Sequence, residues 1–140
     1  MAKALALGAD AIAIGHSVLM ALNCNKHIEG VTDYPGEIGV EAGFCYHCHT
    51  GRCPVGVATQ DPLLRQRLDP DKAAERVYNF LHTLTMEAQL LARACGKTNI
   101  HSLEPEDLAA LTMEASAMCK VPLAGTNYVV GMEDRDYHKY

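Results

Sequence analysis

Asp10-Ala11-Ile12-Ala13-Ile14-Gly15 is the stretch on which the fold turns. A short apolar run closed by glycine predicts a fully buried strand, the kind that sits inside a parallel sheet. Before it, Ala2-Lys3-Ala4-Leu5-Ala6-Leu7 are strong helix formers, and Gly8 stands where a helix C-cap glycine belongs. After it, His16 to Leu22 return to a helical pattern. The order is that of an α/β protein, yet no second convincing strand follows. A parallel strand cannot satisfy its ladder without neighbours. Residues 1–23 are therefore expected to be the last helix–strand–helix unit of a larger α/β array. Its other strands would lie upstream in a longer protein or in another chain.

Residues 24–60 form a loop and cysteine-rich segment. From Asn23 to Ala42 the periodicity dissolves, with a turn signal at Tyr34-Pro35-Gly36. A loop of about twenty residues in a compact domain is unusual unless functional. It leads into Cys45-Tyr46-His47-Cys48-His49-Thr50-Gly51-Arg52-Cys53-Pro54, where three of the six cysteines fall within nine residues as C-x2-C-x4-C-P. Thiolate is a soft ligand suited to iron–sulphur clusters and zinc, and a Cys-Pro pair also closes the bacterial ferredoxin run. The residues alone leave two centres open. One is a cluster on Cys45, Cys48 and Cys53; the other is a zinc site completed by His47, His49 or Cys24.

Residues 61–124 read as a helical extension. Asp61-Pro62 gives an N-cap and first-turn proline for a short helix to Leu68, and Asp69-Pro70 repeats the signal for the longest helix, ending at Gly96. Ala74, Val77, Leu81, Leu84, Ala88, Leu91 and Cys95 mark its apolar seam, at alternating steps of three and four. Glu104-Pro105 opens another helix towards Lys120, with a break near Thr112, and Pro122 stops it. Cys95 and Cys119 read as core residues on apolar helical faces. Residues 125–140 are a tail without an assigned element.

Composition narrows the function. A formal net charge of −5 with no run of Lys or Arg argues against a nucleic-acid partner. No apolar run reaches the roughly 18 residues that span a bilayer, so no membrane role is expected. Six cysteines without a secretory signal at the N-terminus point to reduced thiols and a cytoplasmic setting.

At Cys48-His49-Thr50-Gly51-Arg52-Cys53-Pro54-Val55-Gly56-Val57-Ala58-Thr59-Gln60-Asp61-Pro62 the chain resembles the FMN-binding domain of glutamate synthase. It looks most like the archaeal-type branch, which includes N-methylglutamate synthase subunits. Ala4 to Gly15 are similar to that family's last barrel helix turn and eighth strand, and Arg67–Ala74 and Leu103–Leu108 to its C-terminal helical extension. The resemblance implies the C-terminal end of a (β/α)8 TIM barrel, contributing its last strand, then a cluster loop and a mainly helical extension. A whole barrel takes roughly 250 residues, so most of the flavin cradle would lie outside this chain.

The implied activity is reductive amination of 2-oxoglutarate through 2-iminoglutarate, with electrons passing from an iron–sulphur cluster to FMN. Alternatives are formation of N-methylglutamate, or a zinc-stabilised protein-interaction module. The resemblance places the FMN phosphate at Gly15, His16 and Ser17, and cluster ligands at Cys45, Cys48 and Cys53. Larger bacterial enzymes of the family hold a [3Fe-4S] cluster on C-x5-C-x4-C, which would put the first cysteine at Ala42; here it is Cys45. Either a [3Fe-4S] centre or a [4Fe-4S] centre with Cys24 as fourth ligand follows. The implied partners are the rest of the FMN barrel, a glutaminase or other ammonia-supplying domain or subunit, and an electron-donor protein or reductase subunit. By itself the chain is expected to be inactive.

Overall fold

The computed structural model describes residues 1–24 and 47–132. Helices dominate: α1 (Ala2–Ala6), α2 (His16–Ala21), α3 (Pro62–Arg65), α4 (Pro70–Ala94) and α5 (Met113–Cys119), with short 3-10 turns at Ile100–Ser102 and Pro105–Asp107. The chain divides into two compact units, one of Met1–Ala13 with Leu84–Tyr140 and one of Ile14–Thr83.

In the first unit α1 ends as its sequence dictates. Gly8 takes φ +97°, and its N–H and that of Ala9 donate to the carbonyls of Leu5 and Ala4 at 2.9 and 3.0 Å. This is the paired closure that a left-handed glycine permits. Leu5, Ala6, Ala92 and Leu103 form the core, ringed by Ala2, Ile12, Ile100 and Leu108. α1 packs on both 3-10 turns. Lys97 braces this region: its Nζ lies 2.9 Å from Glu104 Oε2 and 3.7 Å from Asp107 Oδ2.

The expected helix from Glu104 to Lys120 is not continuous. Its first part coils only at Pro105–Asp107, as a 3-10 turn, and the chain then runs out to Ala110, which bridges to Leu123 in parallel. The Ala110 N–H donates to Pro122 O and its carbonyl accepts from Ala124 N, both at 2.8 Å. Thr112 then caps α5, its Oγ1 accepting from Ala115 N at 3.1 Å. The break at Thr112 is thus a new start. α5 is anchored by a polar residue: fully buried Ser116 donates its hydroxyl to Val121 O at 2.8 Å and accepts from Val130 N at 3.2 Å. That second bond ties down part of the tail left without an element on sequence grounds, and Val129 is buried.

The expected strand at Asp10–Gly15 forms no ladder among the described residues. Asp10 and Ala11 bend, Ile12 and Ile14 are half-buried, and Ala11 and Ala13 are exposed. The seam assigned to α4 is also displaced. Of the expected seam, Ala88 is buried and Val77 and Leu84 are half-buried, but Leu81, Leu91 and Cys95 are exposed, and the other buried residues are Ala73 and Ala92. Alanine allows close backbone approach, so the helix packs on its small-residue edge and not on its leucines. Cys119 is exposed too, because α5 is short and held through Ser116, leaving its ends outside.

Within the second unit, α3 and α4 begin on aspartate caps. Asp61 Oδ1 accepts from the N–H groups of Leu63 and Leu64 at 2.8 and 3.2 Å, with Pro62 in the first turn. Asp69 Oδ1 accepts from Lys72 N at 3.2 Å ahead of Pro70. The buried positions of this unit run from Cys53 to Gly56 and include Thr59 and Ala73.

Candidate metal centre

The cysteine loop is built from two tight turns. In the first, the His47 carbonyl accepts from Thr50 N at 3.1 Å and from Thr50 Oγ1 at 2.9 Å. Cys48, second residue of this turn, is exposed. In the second, Gly56 N donates to Cys53 O at 3.2 Å. Pro54 supplies the fixed φ that suits the second position of such a turn. Cys53 is buried, with 4% of its surface accessible.

Outside partners hold the loop on either side of Cys53. The Arg67 guanidinium donates to Pro54 O at 3.0 Å. Thr59 is buried and donates its hydroxyl to Gly51 O, while the same oxygen accepts from Asp61 N at 3.1 Å. Gly56 lies against α3 at φ +81°, and a Cβ there would stand 2.5 Å from the Leu64 carbonyl oxygen. Only glycine allows the turn and α3 to meet this closely. Asp61 therefore links the turn to the helix: its amide holds Thr59 and its carboxylate caps α3. Asp61-Pro62 was legible as a helix start. Thr59 and Arg67 as clamps on the cysteine turn carried no sequence signal beyond Thr59 lying two residues before that cap.

Of the sequence-derived ligands, Cys48 and Cys53 share this loop, one exposed and one buried. Cys24 is half-buried just beyond α2, its amide donating to Leu19 O at 3.1 Å. Cys45 lies outside the described residues. Among the described residues no three Cys, His, Asp or Glu side chains converge as a metal-holding group, so Cys24, Cys48 and Cys53 alone do not make one. The donor chemistry nevertheless fits a thiophilic centre that draws on Cys45: two thiols sit on a loop rigidified by bonds that leave the sulphurs uninvolved.

Gly15, His16 and Ser17, the phosphate candidates, are all exposed at the start of α2. No side chain caps that helix and no acidic residue lies in its first turn. Nothing stands within 4 Å of a Cβ built at Gly15. The approach is open, although α2 is only six residues long. No helix among the described residues is long and apolar enough to cross a membrane.

Residues 36–98 match the conserved region of glutamate synthase. The chain carries part of that conserved region. It is 54% identical over 132 residues to a glutamate synthase large subunit-like protein of Rhizobium meliloti, covering 94% of this chain and 29% of that protein. Against the archaeal glutamate synthase [NADPH] of Methanocaldococcus jannaschii it is 40% identical over 101 residues, covering 72% of this chain and 16% of the relative. The archaeal-type glutamate synthase [NADPH] of Thermotoga maritima is 36% identical over the same length, with the same coverage of 72% and 16%. No solved structure matches the chain. The chain thus spans under a third of these glutamate synthase relatives.

Proposed function

We propose that the chain is part of a flavin- and iron–sulphur-dependent oxidoreductase of the glutamate synthase type, and that it contributes the cluster loop. The observation that carries this reading is the clamped turn bearing Cys53, which lies inside the stretch matched to the glutamate synthase conserved region. Cys45, Cys48 and Cys53 would ligate the cluster, with Cys24 as the fourth ligand of a [4Fe-4S] centre. In this reading Asp10–Gly15 is the last strand of a TIM barrel completed by other parts of the protein, and the open start of α2 at Gly15, His16 and Ser17 receives the flavin phosphate.

When bound, the cluster would supply single-electron transfer and the FMN hydride transfer for reduction of 2-iminoglutarate. This chain's own residues do three things. The three thiolates would hold the iron of the cluster. Thr59, Arg67 and Gly56 hold the turn so that Cys53 keeps one position in a water-poor site, which is a lever on cluster potential. The Gly15–Ser17 turn offers exposed backbone N–H groups to an anion. Partners supplying the remaining barrel, ammonia from a glutaminase and electrons from a reductase complete the activity in the cytoplasm. Product choice between glutamate and N-methylglutamate belongs to those partners.

Metal content tests the reading. Anaerobically prepared protein reconstituted with iron and sulphide should be brown, with broad visible absorption and acid-labile sulphide in proportion to iron. A colourless protein holding one zinc ion and no sulphide would replace it with the zinc-module reading.

A further inference from the structure

We propose that a cleft between the last turns of α4 and the segment after it, remote in sequence from the cysteine loop, binds a small organic carboxylate. The cleft is open to solvent, with its polar residues exposed, and measures about 390 Å³, within the range of small-molecule sites. Its apolar floor is Ala92, 2% exposed, and half-buried Ile100. Gln89, Arg93, Thr98, Asn99 and His101 supply the polar wall, and no carboxylate among the described residues contributes to it.

The wall is chemically one-sided. Arg93 brings a permanent planar cation whose fork matches a carboxylate. Asn99 already uses its side-chain oxygen, which accepts from His101 N at 3.0 Å, so its amide NH2 is the group it has left to offer. Of the acids close in sequence, Glu87 and Glu106 do not line the cleft, and Glu104 and Asp107 are engaged by Lys97 at 2.9 and 3.7 Å. A donor-rich pocket on a chain of net charge −5 stands out from its surroundings, and its apolar floor favours an organic anion over an inorganic one. The conserved glutamate synthase region ends at residue 98, so Asn99, Ile100 and His101 lie beyond the stretch that this chain shares with the family model. Arg93 also sits where a cation offsets the α4 dipole; that role requires no cleft and would not respond to a ligand.

The test is a titration of the full chain, followed by amide NMR shifts, with butyrate, with neutral butyramide and with inorganic phosphate. Butyrate should shift the amides of Thr98–His101 saturably with a Kd of about 1 mM or tighter. Butyramide should not. Arg93→Gln should weaken butyrate at least about tenfold, and Arg93→Lys should restore part of the loss. The proposal is overturned by any of three results: no saturable shift, equal binding of butyramide, or binding indifferent to Arg93→Gln. Phosphate binding as tightly as butyrate also overturns it, because the apolar floor would then contribute nothing.

Discussion

Gly56 is the residue on which the cysteine turn most depends. Its φ of +81° and the 2.5 Å approach that a Cβ would make to Leu64 O act together, so relief by a rotamer change is closed: the obstacle is backbone. Gly56→Ala should lower unfolding free energy by more than the roughly 1 kcal/mol that left-handed strain alone costs, measured by urea denaturation. It should also loosen Cys53, seen as faster thiol labelling. Ser116 makes a parallel case. Removing its hydroxyl leaves Val121 O and Val130 N without that partner in a buried place. Ser116→Ala should cost about 1–3 kcal/mol, and amide exchange should rise first near Val130. Neither residue declared itself in the sequence. Gly56 was one glycine in a glycine-bearing segment, and a serine inside a helix ordinarily reads as solvent-facing. Gly8 was legible, because a glycine directly after a run of helix formers has one common use.

For the elements, start signals were read better than faces. Asp61-Pro62 and Asp69-Pro70 open α3 and α4 as expected, since an aspartate cap and a first-turn proline act locally. The α4 seam holds at buried Ala88 and fails at Leu81, Leu91 and Cys95, because packing uses the alanine edge of Ala73, Ala88 and Ala92. Cys95 and Cys119 followed that error outward. Asp69 gives α4 a pH signature. The Lys72 backbone N–H, and then its ammonium 3.5 Å away, hold the Asp69 carboxyl below its ordinary 3.8. A carboxylate with a depressed folded pKa stabilises fully above the unfolded value, and that contribution fades as pH falls through the folded one. Asp69→Asn should therefore flatten the acid limb of the stability curve below about pH 4 and leave its neutral and alkaline limbs parallel to the wild type. Equal flattening on the alkaline side would show that another group is responsible.

For the molecule as a whole, the α/β expectation meets a helical chain. Asp10–Gly15 has the composition of an interior strand, but a strand exists only with neighbours, and the described residues provide none. The chain covers 29% and 16% of the length of these relatives. The glutamate synthase resemblance was legible because cysteine spacing is a local chemical signature. The clamps that hold the turn were not, because Arg67 reaches Pro54 across thirteen positions, and no local pattern encodes such a contact.

The function proposed for this chain requires Cys45, Cys48 and Cys53 to bind one iron–sulphur centre. It is tested most directly by iron and acid-labile sulphide per chain after anaerobic reconstitution, in single serine variants at those three positions and at exposed Cys95 and Cys119. Each of the first three variants should lose most of its iron and sulphide together, while Cys95→Ser and Cys119→Ser keep both at the wild-type level. Retention of a full cluster by Cys53→Ser, or an equal loss in all five variants, would contradict it.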